Sequence, residues 1–265
     1  MAWFKWPFWR KDEPKIAKSI IGPDDRLKAD NPADTLWRPL CAIFINYSGK
    51  PGQSLGTGIM IGPRLVLTAA HNLYDLETGK AISGGTIKVG LINGQSSAES
   101  VIEDTIVPEL YKSQSASGTD KYAYDYGLIL LKDDAAHDWA QTTWPIERMH
   151  PPSDDALRLG RLIVAGYPAE LGATDTTIMV GYGPLKKNGV AAHSIAYDID
   201  TTGGQSGSPV FRYNGKTKLA SIVGIHVAGF GQRGNLANRL TAVTKTQIET
   251  WAAEWAKKPS PGAMS

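Results

Sequence analysis

The chain has 265 residues, with 28 Lys plus Arg against 26 Asp plus Glu and a formal net charge of +2. Such a length allows one or two domains, and 42% apolar with 20% charged residues provide a real core and exclude wholesale disorder. The near-neutral balance argues against a nucleic-acid partner, which needs a basic face, and the single cysteine, Cys41, excludes an intrachain disulfide and a cysteine-built zinc cluster.

Residues 1–19 read MAWFKWPFWRKDEPKIAKS. Lys5 and Pro7 interrupt the apolar stretch and no A-x-A site follows, so the segment reads as neither a Sec signal nor a transmembrane helix. On that reading the chain is expected to be cytoplasmic, either free or membrane-associated, or exported by a non-Sec route. Trp3, Phe4, Trp6, Phe8 and Trp9 lie beside Lys5, Arg10 and Lys11, a mixture that suits a membrane interface. The plainer alternative is an extension whose aromatics pack on the main domain.

From about residue 20 to 243 there is no long helical periodicity. Short β-rich runs separated by turn residues predict strands at 41–47, 56–61, 65–69, 86–92, 126–131, 161–165, 176–181, 193–198, 208–213 and 220–227. Many strands without interleaved helices point to an all-β barrel or sandwich. The Asp- and Pro-rich stretch 136–160 reads as a linker between β halves at 20–135 and 161–243. At 244–258 a helix is predicted: Thr244 with Gln247, or Thr246 with Glu249, gives a capping-box pattern, and Ile248, Trp251, Ala252 and Trp255 share one face. Residues 259–265 form a tail.

Three segments carry chemistry: GTGIMIGPRLVLTAAHNL with His71, YDYGLILLK with Asp125, and TTGGQSGSPVF with Ser206. A serine hydroxyl needs a base to take its proton, a partner to fix that base's tautomer, and N–H groups aimed at the developing oxyanion. Gly203, Gly204 and Gly207 stand where such a turn needs freedom. The order His, Asp, Ser excludes the Ser-first order of α/β-hydrolases, and G-Q-S-G-S is not G-x-S-x-G. His137, His150 and His193 carry no motif; Asp120 lies in a Gly/Ser-rich loop; Ser208 lacks the preceding glycine pair. Cys41 reads as a small buried apolar residue.

These segments resemble the chymotrypsin-fold serine peptidases, within them the bacterial V8-like, glutamyl endopeptidase branch. LTAAH, DYGLILL and TTGGQSGSPVF carry the likeness, supported by IIGPDDR at 20–26, GYP at 166–168 and GIHVAG at 224–229. The resemblance implies two six-stranded antiparallel β-barrels with the site between them and a C-terminal α-helix. It implies Ser206 as nucleophile, His71 as general base then acid, Asp125 as its orienting partner, and the Gly204 and Ser206 amides as oxyanion hole. Val227, Ala228 and Gly229 would pair with the substrate backbone. Thr201 and His226 match the positions that contact an acidic side chain in glutamyl-specific relatives, so cleavage after Glu, then Asp, is expected. No counterpart to the pocket aspartate of trypsin-like enzymes is evident.

The relatives' mature chains begin near V-I-G-x-D-D-R, which here is 20–26, so a propeptide cut by an activating protease after Lys18 or Ser19 is expected. Gln205 replaces the aspartate that holds the new terminus in trypsin-like enzymes. The expected partner is a peptide or protein substrate bound by a monomer, with no cofactor and no metal, since no dense carboxylate loop demands calcium. The competing readings are a membrane-targeted protease of other specificity and a non-catalytic binding protein on this fold.

Overall fold

The computed structural model describes residues 18–29, 31, 36–115, 117–118, 120–132, 143–214 and 219–258. Trp3, Phe4, Trp6, Phe8, Trp9 and His137 lie outside them, as do the 259–265 tail and the start of the expected linker. Among the described residues no helix is long and apolar enough to cross a membrane.

The first half contributes β1 (Leu40–Tyr47), β2 (Ser54–Gly62), β3 (Leu65–Thr68), β4 (Lys80–Val89), β5 (Ala98–Ile106) and β6 (Gly127–Leu131). They pair antiparallel in the order β1-β2-β3-β6-β5-β4, and β4 pairs back onto β1 to close a barrel. The second half contributes β7 (Arg161–Gly166), β8 (Met179–Gly183), β9 (Leu185–Val190), β10 (Ser194–Tyr197), β11 (Pro209–Asn214), β12 (Leu219–Gly229) and β13 (Asn235–Arg239). Its order is β9-β10-β13-β12-β11-β7-β8, with Leu27–Lys28 added beside β8.

This second sheet closes differently from the expected second barrel. Its end strands do not pair; they are joined through one residue, Pro184. Proline has no N–H for a ladder, so the strand breaks there. Its first half pairs with β7 and its second half with β10.

Period-two alternation explains why several strands are apolar on both faces. In β1, Cys41, Ile43 and Ile45 fill the first barrel, while Leu40 and Ala42 join a second cluster. That cluster also takes Leu128 and Leu130 from β6, Ile163 and Ala165 from β7, and Phe211 from β11. It is the seam between the two halves. Leu162, Val164, Tyr197 and Val210 fill the second half's interior. A one-residue slip would exchange the two faces, each buried side chain being worth about 1.5–3 kcal/mol.

The C-terminal helix α1 spans Ala242–Trp255, so it starts before the expected 244. Thr241 is the N-cap: its hydroxyl accepts from the Thr244 amide at 3.1 Å, a role expected of Thr244 or Thr246. Ile248, Trp251, Ala252 and Trp255 are buried, and Trp251 stacks at 5.9 Å on Tyr126 of the first half.

Candidate active site

β3 and β6 run antiparallel with Thr68 opposite Gly127, so residues just after β3 lie beside residues just before β6. That register brings His71, in a single 3-10 turn, against Asp125. Asp125 Oδ1 accepts from the His71 backbone N–H at 2.9 Å and Oδ2 lies 2.8 Å from Nδ1. An ionised carboxylate only accepts, so facing one, a neutral imidazole carries its proton on Nδ1 and its lone pair on Nε2. Asp125 is buried, whereas the His71 side chain is 31% exposed. The Tyr47 hydroxyl donates to the His71 carbonyl at 2.8 Å, which anchors the turn from β1.

Ser206 lies in the turn between Thr201–Thr202 and β11. Two glycines make the turn possible. Gly204 has φ +96° and a Cβ there would fall 2.5 Å from the Tyr167 carbonyl; Gly207 has φ +88° and its Cβ would fall 2.1 Å from the Thr57 carbonyl. β2 grips the turn: the Thr57 amide donates to the Ser206 carbonyl at 2.8 Å, and the Thr57 hydroxyl donates to the Gly204 carbonyl at 2.8 Å. Asn72, next to His71, donates to the Ser206 carbonyl at 2.9 Å and to the Thr68 hydroxyl at 3.0 Å. Among the described residues, the Gly204 and Ser206 amides donate to no protein acceptor, and Ser206 Oγ makes no hydrogen bond to His71. Free enzymes often hold this contact long and tighten it on substrate.

Residues 56–225, which hold all three segments, match the trypsin-like peptidase domain. The chain belongs to that family. The peptidase is 30% identical over 238 residues to a glutamyl endopeptidase of Bacillus licheniformis, covering 88% of this chain and 67% of that protein. It is 27% identical over 234 residues to a Bacillus subtilis protein named extracellular metalloprotease, covering 88% and 70%. A solved Glu endopeptidase in complex with MPD superposes with TM-score 0.72 at 21% identity, over 88% of this chain and 99% of that one. A thermostable serine protease, AL20, superposes at 0.64 with 16% identity, over 83% and 99%. The peptidase is therefore a chymotrypsin-fold serine endopeptidase of the V8-like branch.

In this peptidase His226 and Thr201 are both buried. Tyr197 Oη lies 2.7 Å from His226 Nδ1. Burial, with a smaller contribution from nearby His71, depresses the His226 pKa to about 3, and burial lifts that of Tyr197 far above its usual range. A neutral imidazole beside a protonated phenol allows two arrangements: Tyr197 donates to Nδ1, which puts the imidazole proton on Nε2, or Nδ1–H donates to the phenol oxygen. Thr201 Oγ1 donates to Asn235 Oδ1 at 2.9 Å, and the Asn235 amide donates to the Ser19 and Ile199 carbonyls. β12 pairs with β11 only as far as Ile225, so Val227, Ala228 and Gly229 keep one edge outside that ladder. Lys18–Ser19 pairs with Thr202–Thr201, and a Cβ on Gly229 would lie 2.5 Å from Ser19 Cβ. The backbone at Lys18–Ser19 thus runs directly beside Thr201 and Gly229.

Trypsin-type enzymes carry their pocket aspartate six residues before the nucleophile, and Asp200 stands six residues before Ser206. Its carboxylate is buried and engaged: Ile21 N–H donates to Oδ1 at 2.7 Å and Asp25 N–H to Oδ2 at 3.2 Å. Thr57 and Asn72 lie inside the GTGIMIGPRLVLTAAHNL segment that holds His71, whereas no sequence signal marks Tyr197 or Asn235. Among the described residues no group of His, Cys, Asp and Glu could hold a metal ion. Cys41 is buried in the first barrel, and burial pushes its thiol pKa up.

Proposed function

We propose that the peptidase cleaves peptide bonds through Ser206, His71 and Asp125, with the tetrahedral oxyanion received by the Gly204 and Ser206 amides, and that it prefers Glu, then Asp, before the scissile bond. The Asp125–His71 pair carries the catalytic reading. It leaves Nε2 as an unprotonated base, while Thr57 and Asn72 tie the Ser206 turn to the same side of the cleft. Ser206 Oγ attacks the carbonyl as His71 Nε2 takes its proton. His71⁺, stabilised by Asp125, then gives that proton to the leaving amine, and water hydrolyses the acyl-enzyme by the same route. Val227, Ala228 and Gly229 offer the free strand edge for the substrate backbone.

The acidic preference rests on His226, which offers a neutral Nε2–H donor to a carboxylate in the tautomer that accepts the Tyr197 hydroxyl at Nδ1, and on the name glutamyl endopeptidase borne by a relative. Asp200 favours a second reading, a basic side chain in that position. Both its oxygens are already engaged by Ile21 and Asp25 amides, which favours the acidic one. Activation follows from the same place: a cut after Lys18 or Ser19 frees an amino group beside Thr201, adding a cation where an acidic side chain would bind. The substrate is a peptide or protein and the working unit a monomer, with the extension's aromatics as a membrane-surface contact.

Fluorophosphonate labelling of the parent and of Ser206→Ala tests the nucleophile. Labelling lost only in the variant supports it, and labelling that persists in Ser206→Ala refutes it. A peptide library then reads specificity. Cleavage after Arg or Lys would overturn the acidic preference and assign Asp200 to the pocket.

A further inference from the structure

We infer that Arg26 is the positioning residue that holds the oxyanion turn in register, a task for which the residue before the nucleophile cannot use its own charge because it is Gln205. This rests on the reading of Ser206 as nucleophile and of its turn as the oxyanion hole. Arg26 comes from the segment that follows the leader, far from the turn in sequence, and its side chain is only 3% exposed. Nη1 donates to Gln205 Oε1 at 2.8 Å and to Thr202 Oγ1 at 2.9 Å. Asp24 accepts from Nε at 2.9 Å and from Nη2 at 2.8 Å, and Glu170 accepts from Nη2 at 2.6 Å. The guanidinium is thus a hub with two anionic partners on one side and the oxyanion turn on the other.

The turn end of the network is closed as well. Gln205 Oε1 also accepts the Thr202 amide at 3.0 Å, the Gln205 amide donates to the Thr202 carbonyl at 3.1 Å, and the Thr202 hydroxyl donates to Glu170. Thr202 and Gln205, the residues on either side of the Gly203–Gly204 pair, are therefore fixed to Arg26 directly or through Glu170, while the Gly203 carbonyl accepts the Ala169 amide at 2.7 Å and the Gly204 carbonyl accepts the Thr57 hydroxyl. Gln205 is fully buried, yet its Nε2 has no hydrogen-bond partner. An unpartnered buried donor is costly, so the side chain is retained for its acceptor, and the cation facing that acceptor is Arg26. The uncut chain already contains all of these contacts. Order in the oxyanion turn consequently does not depend on a free amino terminus, and leader cleavage acts on the pocket beside Thr201.

The test uses the full chain and the variants Arg26→Met, Gln205→Met and the double variant, each normalised by active-site titration. A loss of fold lowers the titrated sites. A displaced oxyanion turn lowers turnover per site while sparing ground-state binding. The expected result for Arg26→Met is a fall in kcat per titrated site of about 10²-fold, the scale of losing one oxyanion donor, with KM changed by less than about threefold. Inhibition by a peptide aldehyde, whose adduct carries the tetrahedral oxygen, should weaken in parallel. Gln205→Met should behave alike, and the double variant should be no worse than either single one, since both break the same link. Arg26→Lys, with one cation but no fork, should recover only part of the loss. Titrated kcat and aldehyde affinity near parental values in Gln205→Met, or strictly additive losses in the double variant, would overturn the inference even if Arg26→Met does not fold. Persistent activity in Ser206→Ala would instead overturn the catalytic reading on which it rests.

Discussion

Thr57→Val removes one oxygen from the contact between the first barrel and the oxyanion turn and leaves shape almost unchanged. Thr57 is fully buried, and its hydroxyl both donates to the Gly204 carbonyl at 2.8 Å and accepts the Tyr167 amide at 2.9 Å. Valine satisfies neither group. Each buried polar group left without a partner costs about 1–3 kcal/mol, so the pair costs about 4 kcal/mol. For a chain of this size that lowers the melting temperature by roughly 8–16 °C. Thr57→Ser keeps the hydroxyl and should lose only the methyl contacts, a much smaller effect. The assay is thermal unfolding of the three proteins, with kcat measured well below their transitions. Because the Gly204 carbonyl is released, kcat of Thr57→Val should fall more than that of Thr57→Ser. A Thr57→Val protein melting within about 2 °C of the parent would refute the reasoning, since no plausible relaxation restores two buried bonds at once.

Asp125→Asn should lower kcat by about 10⁴-fold at neutral pH, because an amide no longer demands the proton on Nδ1; a loss below tenfold in steady-state kinetics would exclude Asp125 as the orienting acid. His226 should make the protein acid-sensitive. Its pKa falls from the ordinary 6.5 to about 3 on folding, so between these values the unfolded chain binds more protons and stability rises with pH. The contribution is complete above about pH 6.5 and is lost toward pH 3 at up to about 1.4 kcal/mol per unit; denaturant unfolding should show the parent losing about 2 kcal/mol more than His226→Gln between pH 7 and pH 5. Gly207→Ala should yield no folded protein by circular dichroism, because its Cβ would meet the Thr57 carbonyl at 2.1 Å and the Thr68 hydroxyl at 2.2 Å at a φ of +88°.

What the sequence reveals here is what lies close along the chain. His71, Asp125 and Ser206 stand in compact strings, and the all-β character follows from short β-branched runs bounded by turns. Strands whose polar residues are satisfied at long range escape such reading. β13 holds Asn235 and Asn238, poor strand formers, yet both are buried: their amides reach Ser19 and Ile199, and Tyr122 and Ala123. β5 carries Glu99, Glu103 and Asp104 and reads as a loop, but Arg64 and Lys88 across the sheet and Lys258 beyond the helix pair with them. β9, with Lys186, Lys187 and the Asn188-Gly189 pair, looks like a turn until Pro184 is seen to route it onto β10. The site divides the same way. The Arg26–Gln205 and Thr57–Gly204 contacts join residues more than a hundred positions apart, and no local pattern announces them. Asp200 is equally silent, because nothing in the sequence says which way its carboxylate turns.

The stacking of Trp251 on Tyr126 has a consequence for how the protein is made. Synthesis runs from the amino end, so the first barrel leaves the ribosome well before the helix that covers the residue next to Asp125. The neighbour of the proposed triad's acid is thus braced by a segment translated after all three triad residues. A nascent chain arrested before Ala242 should bind a fluorophosphonate poorly.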